Sequence, residues 1–235
     1  MAEANPDYTP TVSAEQVERI RRWHEDAYAR RAGESPAVHT FDYLGLTLTV
    51  PPDVQPIAPV SSLLGEAVLA EVREGDRVLD MGTGSGVNAI LAASKARRVV
   101  AVDTNPVALE AARGNAEANG VAERVEVRHS DVFSNVSGEF DLIIFDPPFR
   151  WFAPRDLRET ATADQDYRAM TTFFHQARRY LRLTGRMLIF FGTSGDLGHL
   201  RRLADEQRFK TAVVAHDDLV KEGWRVDYYT FRMTP

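Results

Sequence analysis

From residue 77 to the end of the chain, short apolar runs alternate with stretches of helical periodicity. Short apolar runs between turn residues are typical of buried strands, and strands that alternate with helices are typical of a parallel sheet. We expect seven strands, at residues 77–81, 98–103, 125–129, 141–145, 186–191, 210–216 and 225–232. The pattern therefore predicts an α/β fold, with a mostly parallel seven-stranded sheet and helices on both faces.

Two connections in this region are readily interpreted. Asn105 can cap a helix after the second strand, Pro106 suits the first turn of that helix, and Gly120 suits its end. The connection between the last two strands, at residues 217–224, is too short for a crossover helix and contains Gly223, which indicates a hairpin. We therefore expect the last strand to be antiparallel and to lie at an edge of the sheet.

The beginning of the chain has a different pattern. Residues 12–31 can form an amphipathic helix, and residues 41–43 and 46–50 alternate with period two, which predicts a small hairpin. A proline-rich stretch follows, and then a predicted helix at residues 62–72 that leads into the sheet. We expect residues 1–59 to form an N-terminal cap or lid on a main domain of residues 60–235.

Composition narrows the possible partners. The formal net charge of −6 disfavours a surface that coats a nucleic acid, although a local basic patch could still contact RNA or DNA. The absence of cysteine excludes disulfides, thiolate metal sites and cysteine nucleophiles. No apolar run has membrane-spanning length and residues 1–7 show no signal-peptide pattern, so we expect a cytoplasmic protein without a membrane partner. The oligomeric state is left open.

A glycine-rich turn with the spacing G-x-G-x-G, from Gly82 to Gly86, follows the first predicted strand. Glycines in such a turn permit positive φ and let a ligand approach the backbone closely. Asp80 stands just before the turn, where a carboxylate would repel a pyrophosphate but would suit a cationic ammonium or sulfonium ligand. The glycines alone fit a tight turn without any ligand equally well.

Two further acids stand at strand ends. Asp103 ends the second strand, where a carboxylate can accept hydrogen bonds from both hydroxyls of a ribose. Asp131 follows the third strand, where it can accept from an exocyclic amine while Val132 and Phe133 wall an adenine. Each acid alone could be a helix cap or a solvated turn residue. Three acids at three strand ends on one edge of the sheet together indicate a ligand site.

The fourth predicted strand ends in Asp146, Pro147, Pro148 and Phe149. Because prolines cannot continue a central strand, these residues should lie at the carboxyl edge of the sheet, where ligands bind in open α/β folds. An acid, rigid backbone carbonyls and an aromatic ring at that edge suggest a substrate clamp.

The combined pattern resembles the class I S-adenosylmethionine-dependent methyltransferases over about residues 60–235, and within them the methyltransferase small domain branch. The likeness is carried by residues 78–90, 102–118 and 124–133, together with the Asp-Pro-Pro-Phe segment. That branch includes glutamine N-methyltransferases and ribosomal RNA guanine-N2 methyltransferases. The resemblance implies a Rossmann-like methyltransferase domain with S-adenosylmethionine as its cofactor. The candidate cofactor-binding residues are Asp80, Gly82, Thr83, Gly84, Asp103, Thr104, Asp131 and Val132.

The resemblance also places Asp146, Pro147 and Phe149 at the acceptor nitrogen. The lone pair of an amide, guanidine or aromatic amine is delocalised, and Asp146 with the Pro147 carbonyl could accept its two N–H bonds and stabilise the developing positive charge. We expect an N-methyltransferase that acts on a planar or cationic nitrogen of a protein side chain or small metabolite. The glutamine enzymes have Asn-Pro-Pro-Tyr at this place, whereas an acid such as Asp146 is more similar to the adenine-N6 and guanine-N2 enzymes. An exocyclic amine of an RNA or DNA base is therefore the alternative acceptor. A cofactor-binding interaction protein without activity is a third possibility, because a fold does not prove a function.

Residues 150–170 are the expected lid over this site. The candidates for contact with the substrate are Pro148, Arg150, Trp151 and Tyr167, and Arg150 with neighbouring arginines could hold an anion. The alternative for this segment is a solvated loop with offsetting charges. The six histidines are scattered without metal-ligand spacing, so no metal site is expected.

Overall fold

The computed structural model describes residues 8–32, 37–221 and 223–235. The helices are α1 (Ala14–Ala32), α2 (Ser62–Glu71), α3 (Val87–Ala93), α4 (Pro106–Ala118), α5 (Arg168–Tyr180) and α6 (Leu197–Glu206). A separate hairpin consists of β1 (His39–Tyr43) and β2 (Leu46–Val50). The strands of the main sheet are β3 (Arg77–Met81), β4 (Arg98–Asp103), β5 (Val125–His129), β6 (Phe140–Phe145), β7 (Leu181–Gly192), β8 (Lys210–Lys221) and β9 (Trp224–Thr234).

The seven strands of the main sheet lie in the order β5-β4-β3-β6-β7-β9-β8. The first five in this order are parallel to one another, and only β9 runs antiparallel to its two neighbours. The predicted α/β fold with a mostly parallel seven-stranded sheet is therefore confirmed. Parallel strands place their carboxyl ends on one edge, so the loops after β3, β4, β5 and β6 meet there.

The last two strands form the expected hairpin, but the predicted edge position of the last strand is wrong. Strand β9 lies between β7 and β8, and the edge belongs to β8. The connection through α6 carries β8 past the place beside β7, and the hairpin then returns β9 into that gap. In the resulting register Tyr228 of β9 lies opposite Gly192, the last residue of β7.

Local sequence signals explain where the crossover helix α4 begins. The side-chain oxygen of Asn105 accepts from the backbone N–H of Val107 at 2.9 Å, and Pro106 occupies the first turn. The first N–H groups of a helix have no partner within the helix. Asn105 supplies an acceptor for one of them, and Pro106 has no N–H group that needs a partner. The cap fixes the chain directly after Asp103, at the carboxyl edge.

The N-terminal residues pack directly on the main domain. Ile20 of α1 belongs to the same buried core as the sheet, and Leu48 of β2 packs with Ile90 and Ala116. The backbone N–H of Thr11 donates to the Asp196 carboxylate at 2.7 Å, at the start of α6. Within the described ranges, no helix combines the length and apolar character that crossing a membrane requires.

Candidate active site at the carboxyl edge of the sheet

A cavity of about 730 Å³ opens at the carboxyl edge of the sheet. It is lined by the loops that follow β3 to β6, by α1 and by the lid, which we define as residues 150–170. Its volume lies within the range of small-molecule sites. The sequence-predicted site residues that line it are Gly82, Thr83, Gly84, Asp103, Thr104, Asp131, Val132, Asp146, Pro147, Pro148, Phe149 and Arg150.

The glycine-rich turn between β3 and α3 presents bare backbone to the cavity. Gly82 has φ of +68° and Gly84 has φ of +54°, and a Cβ atom added at either residue would meet no atom within 4 Å. Gly86 differs, because an added Cβ would lie 3.0 Å from the Cα of Ala112. The first two glycines therefore leave space for a ligand, and the third allows α3 and α4 to pack closely.

Asp80 lies beneath this turn and does not line the cavity. Its carboxylate accepts from the Thr83 hydroxyl at 2.6 Å and from the backbone N–H of Ala89 at 3.1 Å. Burial raises the pKa of Asp80 to about 7, although these two hydrogen bonds oppose the rise. In this structure the side chain of Asp80 holds the turn together from inside the domain.

Asp103 is half-buried at the end of β4, beside the glycine turn. It accepts from the backbone N–H groups of Gly84 and Asn105, each at 2.9 Å. Burial raises the pKa of Asp103, and the same two hydrogen bonds oppose the rise. Thr104 is the exposed residue that follows it on the cavity wall.

Asp131 and Val132 follow β5. The Asp131 side chain is about half exposed and pairs with Arg168 at 3.3 Å. Val132 is buried with φ of +47°, an uncommon conformation for a β-branched residue that the tight turn after β5 imposes. The turn thus presents an acid and an apolar side chain to the same part of the cavity.

The Asp146 side chain is exposed to the cavity at the end of β6. Burial among surrounding protein atoms, with a smaller contribution from the Asp80 carboxylate, raises the pKa of Asp146 to about 7. Its exposure toward the cavity moderates this rise. Pro147 is buried beside it, and no donor in the described ranges bonds to the Pro147 carbonyl oxygen. Asp146 and Pro147, two residues that carry acceptor oxygens, therefore line the cavity side by side.

The aromatic ring of Phe149 lies on the wall next to these acceptors. It contacts the rings of Phe191 and Tyr228, with centroids 4.8 and 6.2 Å away. The guanidinium of Arg150 lies over the indole ring of Trp23, 4.5 Å from its centroid, so α1 meets the lid at the cavity.

The structure places two of the predicted substrate contacts behind the cavity wall. Tyr167 is fully buried, and its hydroxyl donates to the Phe149 carbonyl at 2.5 Å and accepts from the Asp196 N–H at 2.8 Å. Trp151 is buried between Tyr8 and Tyr167, with ring centroids 6.0 and 5.9 Å away. Neither residue lines the cavity, and both support the loop that carries Phe149 and Arg150.

Sequence reasoning missed several residues that line the cavity. They include Trp23, Arg31, Ser194 and Tyr228. Trp23 could have been noticed as an aromatic residue on an amphipathic helix, but nothing local marks Ser194 or Tyr228, which arrive at the site through the order of β7 and β9. Among the described residues, no group of histidine, aspartate and glutamate side chains could hold a metal ion.

The residues of this site fit the cofactor that the sequence resemblance implies. The bare backbone at Gly82 and Gly84 forms a cradle that a side chain would fill, and Asp103 beside it offers a carboxylate to hydroxyl donors. Asp131 and Val132 suit an adenine ring at the next strand end. These groups would hold a nucleoside along the ends of β3, β4 and β5. The rest of the cofactor would then lie between the glycine turn and Asp146.

Comparisons with known proteins agree with this geometry. The model of the family described as "methyltransferase small domain" matches residues 57–215. A ribosomal protein L11 methyltransferase from Exiguobacterium sp. is 47% identical over 87 residues, which cover 37% of this chain and 28% of that protein. A putative protein N5-glutamine methyltransferase from Methanocaldococcus jannaschii is 41% identical over 106 residues, which cover 45% of this chain and 52% of that protein.

Among solved structures, the Thermus thermophilus 16S rRNA N2 G1207 methyltransferase in complex with AdoMet and guanosine aligns with a TM-score of 0.61. The match has 22% sequence identity and covers 86% of this chain and 51% of that one. At this identity the likeness concerns the fold alone. The chain spans about half or less of the length of each of these three proteins.

Proposed function

We propose, because this chain belongs to the methyltransferase small domain family, that its cavity catalyses transfer of a methyl group to a nitrogen atom of an acceptor. The match confirms the predicted family, and at the level of the family it confirms S-adenosylmethionine as the cofactor and methyl transfer as the reaction. The observation that supports the choice of nitrogen is that Asp146 and Pro147, which carry a carboxylate and a carbonyl without a described donor, line the cavity side by side.

When bound, S-adenosylmethionine supplies an electrophilic methyl group on a sulfonium sulfur. The glycine turn, Asp103, Asp131 and Val132 would hold it, and Asp80 would keep the turn in shape from below. The main contribution of the protein to such a reaction is to hold the acceptor in line with the methyl group, which can lower a barrier by roughly 7 to 11 kcal/mol.

Asp146 and Pro147 would orient the acceptor nitrogen. An N–H group that donates to the Asp146 carboxylate and another that donates to the Pro147 carbonyl fix the direction of the lone pair. As the new bond forms, the nitrogen becomes positively charged, and the carboxylate stabilises that charge and can take up the proton that leaves. Phe149 offers a flat surface on which a planar acceptor can stack.

We propose that the acceptor is a protein side chain or a small metabolite rather than a nucleic acid. The net charge of −6 is unfavourable for a phosphate backbone, and α1 is joined to the lid beside the cavity. His24 of α1 contacts Glu159 at 2.9 Å and Glu25 contacts Arg155 at 2.7 Å. A small metabolite or a single side chain could enter the cavity without displacing these contacts.

The variant Asp146→Asn tests this proposal. We expect methyl transfer to fall by at least about 100-fold, as for other groups that stabilise developing charge, while calorimetry shows the affinity for S-adenosylhomocysteine changed by less than about threefold. Asp205→Asn, on the exposed face of α6, is the matched control and should leave both quantities unchanged. An equal loss of transfer and cofactor affinity would contradict the role given to Asp146.

The acceptor class is tested with cofactor carrying a labelled methyl group and a cell extract divided into small-molecule, protein and nucleic-acid fractions. Label on nitrogen in the small-molecule or protein fraction supports the proposal. Label in RNA or DNA, with binding that weakens steeply as salt rises, supports a base as the acceptor instead.

A further inference from the structure

We propose that the methyl acceptor carries an anionic group, a carboxylate or a phosphate, which Arg150 binds together with Ser194 and Tyr228 on the cavity wall. This inference rests on the proposed function, because it describes the molecule whose nitrogen reaches Asp146. It assigns Arg150 a partner that the described part of the protein does not supply.

Arg150 is a cation whose hydrogen-bonding capacity is largely unused within the described chain. Its Nε atom is buried without a hydrogen-bond partner, and no described carboxylate lies within ion-pair distance of its guanidinium. The guanidinium is held in place by its contact with the Trp23 ring, 4.5 Å away. Burial lowers the pKa of Arg150 to about 10, so the group is still charged at neutral pH. The residue is half-buried and its Nε atom is shielded, so a ligand anion that pairs with the guanidinium would compensate for the lost contact with water.

Two hydroxyl groups line the cavity on the neighbouring strands. Ser194 follows β7, and its fully buried Oγ atom makes no hydrogen bond of good geometry among the described residues, although it lies close enough to the Tyr228 hydroxyl to affect its pKa. Tyr228 lies in β9 opposite Gly192, and Gly192 precedes Ser194 by two residues. Arg150, Ser194 and Tyr228 line the same cavity. Burial raises the pKa of Tyr228, and the Arg150 charge and the Ser194 hydroxyl oppose that rise. A guanidinium and two hydroxyls are the donors that a carboxylate or phosphate requires.

Two other arginines on the same cavity already have partners. Arg168 pairs with Asp131 at 3.3 Å, and Arg31 donates to the side-chain oxygen of Gln55 at 2.9 Å. A ligand anion would therefore gain more from Arg150 than from either of them, since binding there breaks no existing pair.

The separation of the two subsites suits one small molecule. Arg150 is four residues after Asp146, and four residues of extended chain span at most about 14 Å. An acceptor that places its nitrogen at Asp146 can therefore place its anionic group at Arg150, with the ring of Phe149 between them on the wall. The combination of an acid and an arginine would select a molecule with a nitrogen donor at one end and an anion at the other.

Arginine side-chain NMR provides a direct test that needs no knowledge of the acceptor. The Nε–H signal of Arg150 is followed in the S-adenosylhomocysteine complex while acetate or, separately, inorganic phosphate is added. We expect a saturable shift, and the anion that saturates at lower concentration identifies which of the two groups the site prefers.

Anion binding is then measured by calorimetry for the wild type and for three variants. Arg150→Gln should weaken anion binding about tenfold or more, because it removes a charge-assisted hydrogen bond. Ser194→Ala should weaken it severalfold and, because it removes only one hydroxyl group, should keep the fold. Arg182→Gln is the control, since Arg182 pairs with Asp141 at the other end of β6 and should not affect the site.

The outcomes separate this inference from the proposed function. A protein that binds S-adenosylhomocysteine but shows no saturable shift up to high millimolar anion overturns the inference and leaves the methyltransferase proposal in place. Anion binding that is unchanged in Arg150→Gln and Ser194→Ala also overturns it, because the anion would then be held elsewhere. A protein that does not bind S-adenosylhomocysteine contradicts the proposed function itself.

Discussion

The Asp80 and Asp146 carboxyl groups stand at the ends of two adjacent strands, and burial raises the pKa of each to about 7. The Asp80 carboxylate contributes to the rise at Asp146, whereas the acid that contributes to the rise at Asp80 is Asp103. The two groups have different surroundings. Asp80 already accepts two hydrogen bonds within the domain, whereas Asp146 faces the cavity.

We expect kcat/KM for the cofactor to rise with pH through about 7. Asp146 has to be ionised to accept hydrogen bonds from the acceptor, and a pKa raised to about 7 leaves it largely protonated below that pH. The rise of kcat with pH should occur at a lower pH than the rise of kcat/KM, because the bound sulfonium of the cofactor favours the ionised form of Asp146. Steady-state rates between pH 5.5 and 8.5 measure both quantities.

The variant Asp146→Asn supplies the control for this pH profile. Its residual activity should lose the acid limb, since an amide does not titrate. A profile for the wild type that is flat across this range, or a limb that survives unchanged in the variant, would show that Asp146 is not the titrating group.

Individual site residues were predictable to different degrees. Residues at strand ends, such as Asp103 and Asp146, could be placed from the sequence because parallel strands bring their carboxyl ends to one edge. Trp151 and Tyr167 were predicted to contact the substrate, yet they are buried behind the cavity wall, because the lid folds back over Tyr8 and the start of α6. Burial of a loop side chain depends on contacts with distant segments, and sequence spacing does not contain that information.

The turn that joins β3 to α3 combines two structural requirements in five residues. Gly84 has positive φ, and its N–H group donates to Asp103 at 2.9 Å while its Cα faces open space. Gly86 also has positive φ, but it lies against Ala112 of α4. Glycine is thus needed at Gly84 to leave space for a ligand and at Gly86 to let the two helices pack closely.

Substitution of these two glycines by alanine should therefore have different effects. Gly86→Ala should lower the free energy of unfolding by roughly 1 to 3 kcal/mol, because it adds backbone strain and forces α3 away from α4. Gly84→Ala should cost only about 1 kcal/mol of stability from its positive φ, but should strongly reduce the affinity for S-adenosylhomocysteine. Urea unfolding and calorimetry measure the two effects. Parallel losses of stability and affinity in both variants would contradict the assignment of Gly84 to the ligand cradle.

At the level of elements, the sequence was most informative where strands are buried on both faces. The boundaries of β3 and β4 agree with those predicted, because their apolar runs end at glycine, aspartate or polar turn residues. The boundaries of β5 agree as well, although this strand lies at the edge of the sheet and is only partly buried. Strands β7 and β8 are longer than predicted, since their additional residues include polar positions that pair at exposed ends of the sheet. The place of β9 between β7 and β8 depends on how the whole sheet is assembled, and a local hairpin signal fixes only the pairing of its two strands.

Across the whole molecule, the N-terminal segment and the lid share one set of contacts beside the cavity. His24 pairs with Glu159, Glu25 pairs with Arg155, and the hydroxyl of Tyr28 donates to Asp156 at 3.2 Å. The first pair is buried and the others are more exposed. Removing one member of the buried pair should therefore cost more stability than removing one member of an exposed pair. We propose that residues 1–59 act as a cap on the domain of residues 60–235.

This arrangement predicts that the cap and the main domain unfold together. The three tryptophans report on the cap side of the molecule, since Trp23 lies in α1, Trp151 in the lid, and Trp224 packs on Trp23 with ring centroids 5.6 Å apart. Tryptophan fluorescence and far-ultraviolet circular dichroism should therefore show one thermal transition at the same temperature. S-adenosylhomocysteine at 100 times its Kd should raise that temperature by roughly 5 to 10 °C, from about 2.7 kcal/mol of binding energy in a chain of this size.

The variant Ile20→Ala makes this test sharper, because Ile20 belongs to α1 but is buried in the core of the main domain. Removing its side chain should cost about 2 to 5 kcal/mol. If the cap and domain form one cooperative unit, both signals should move to lower temperature by the same amount, and the ligand should raise both again. If the fluorescence transition moved alone and the dichroism transition stayed, the cap would be an independent unit, and its contacts with the lid would contribute nothing to the stability of the catalytic domain.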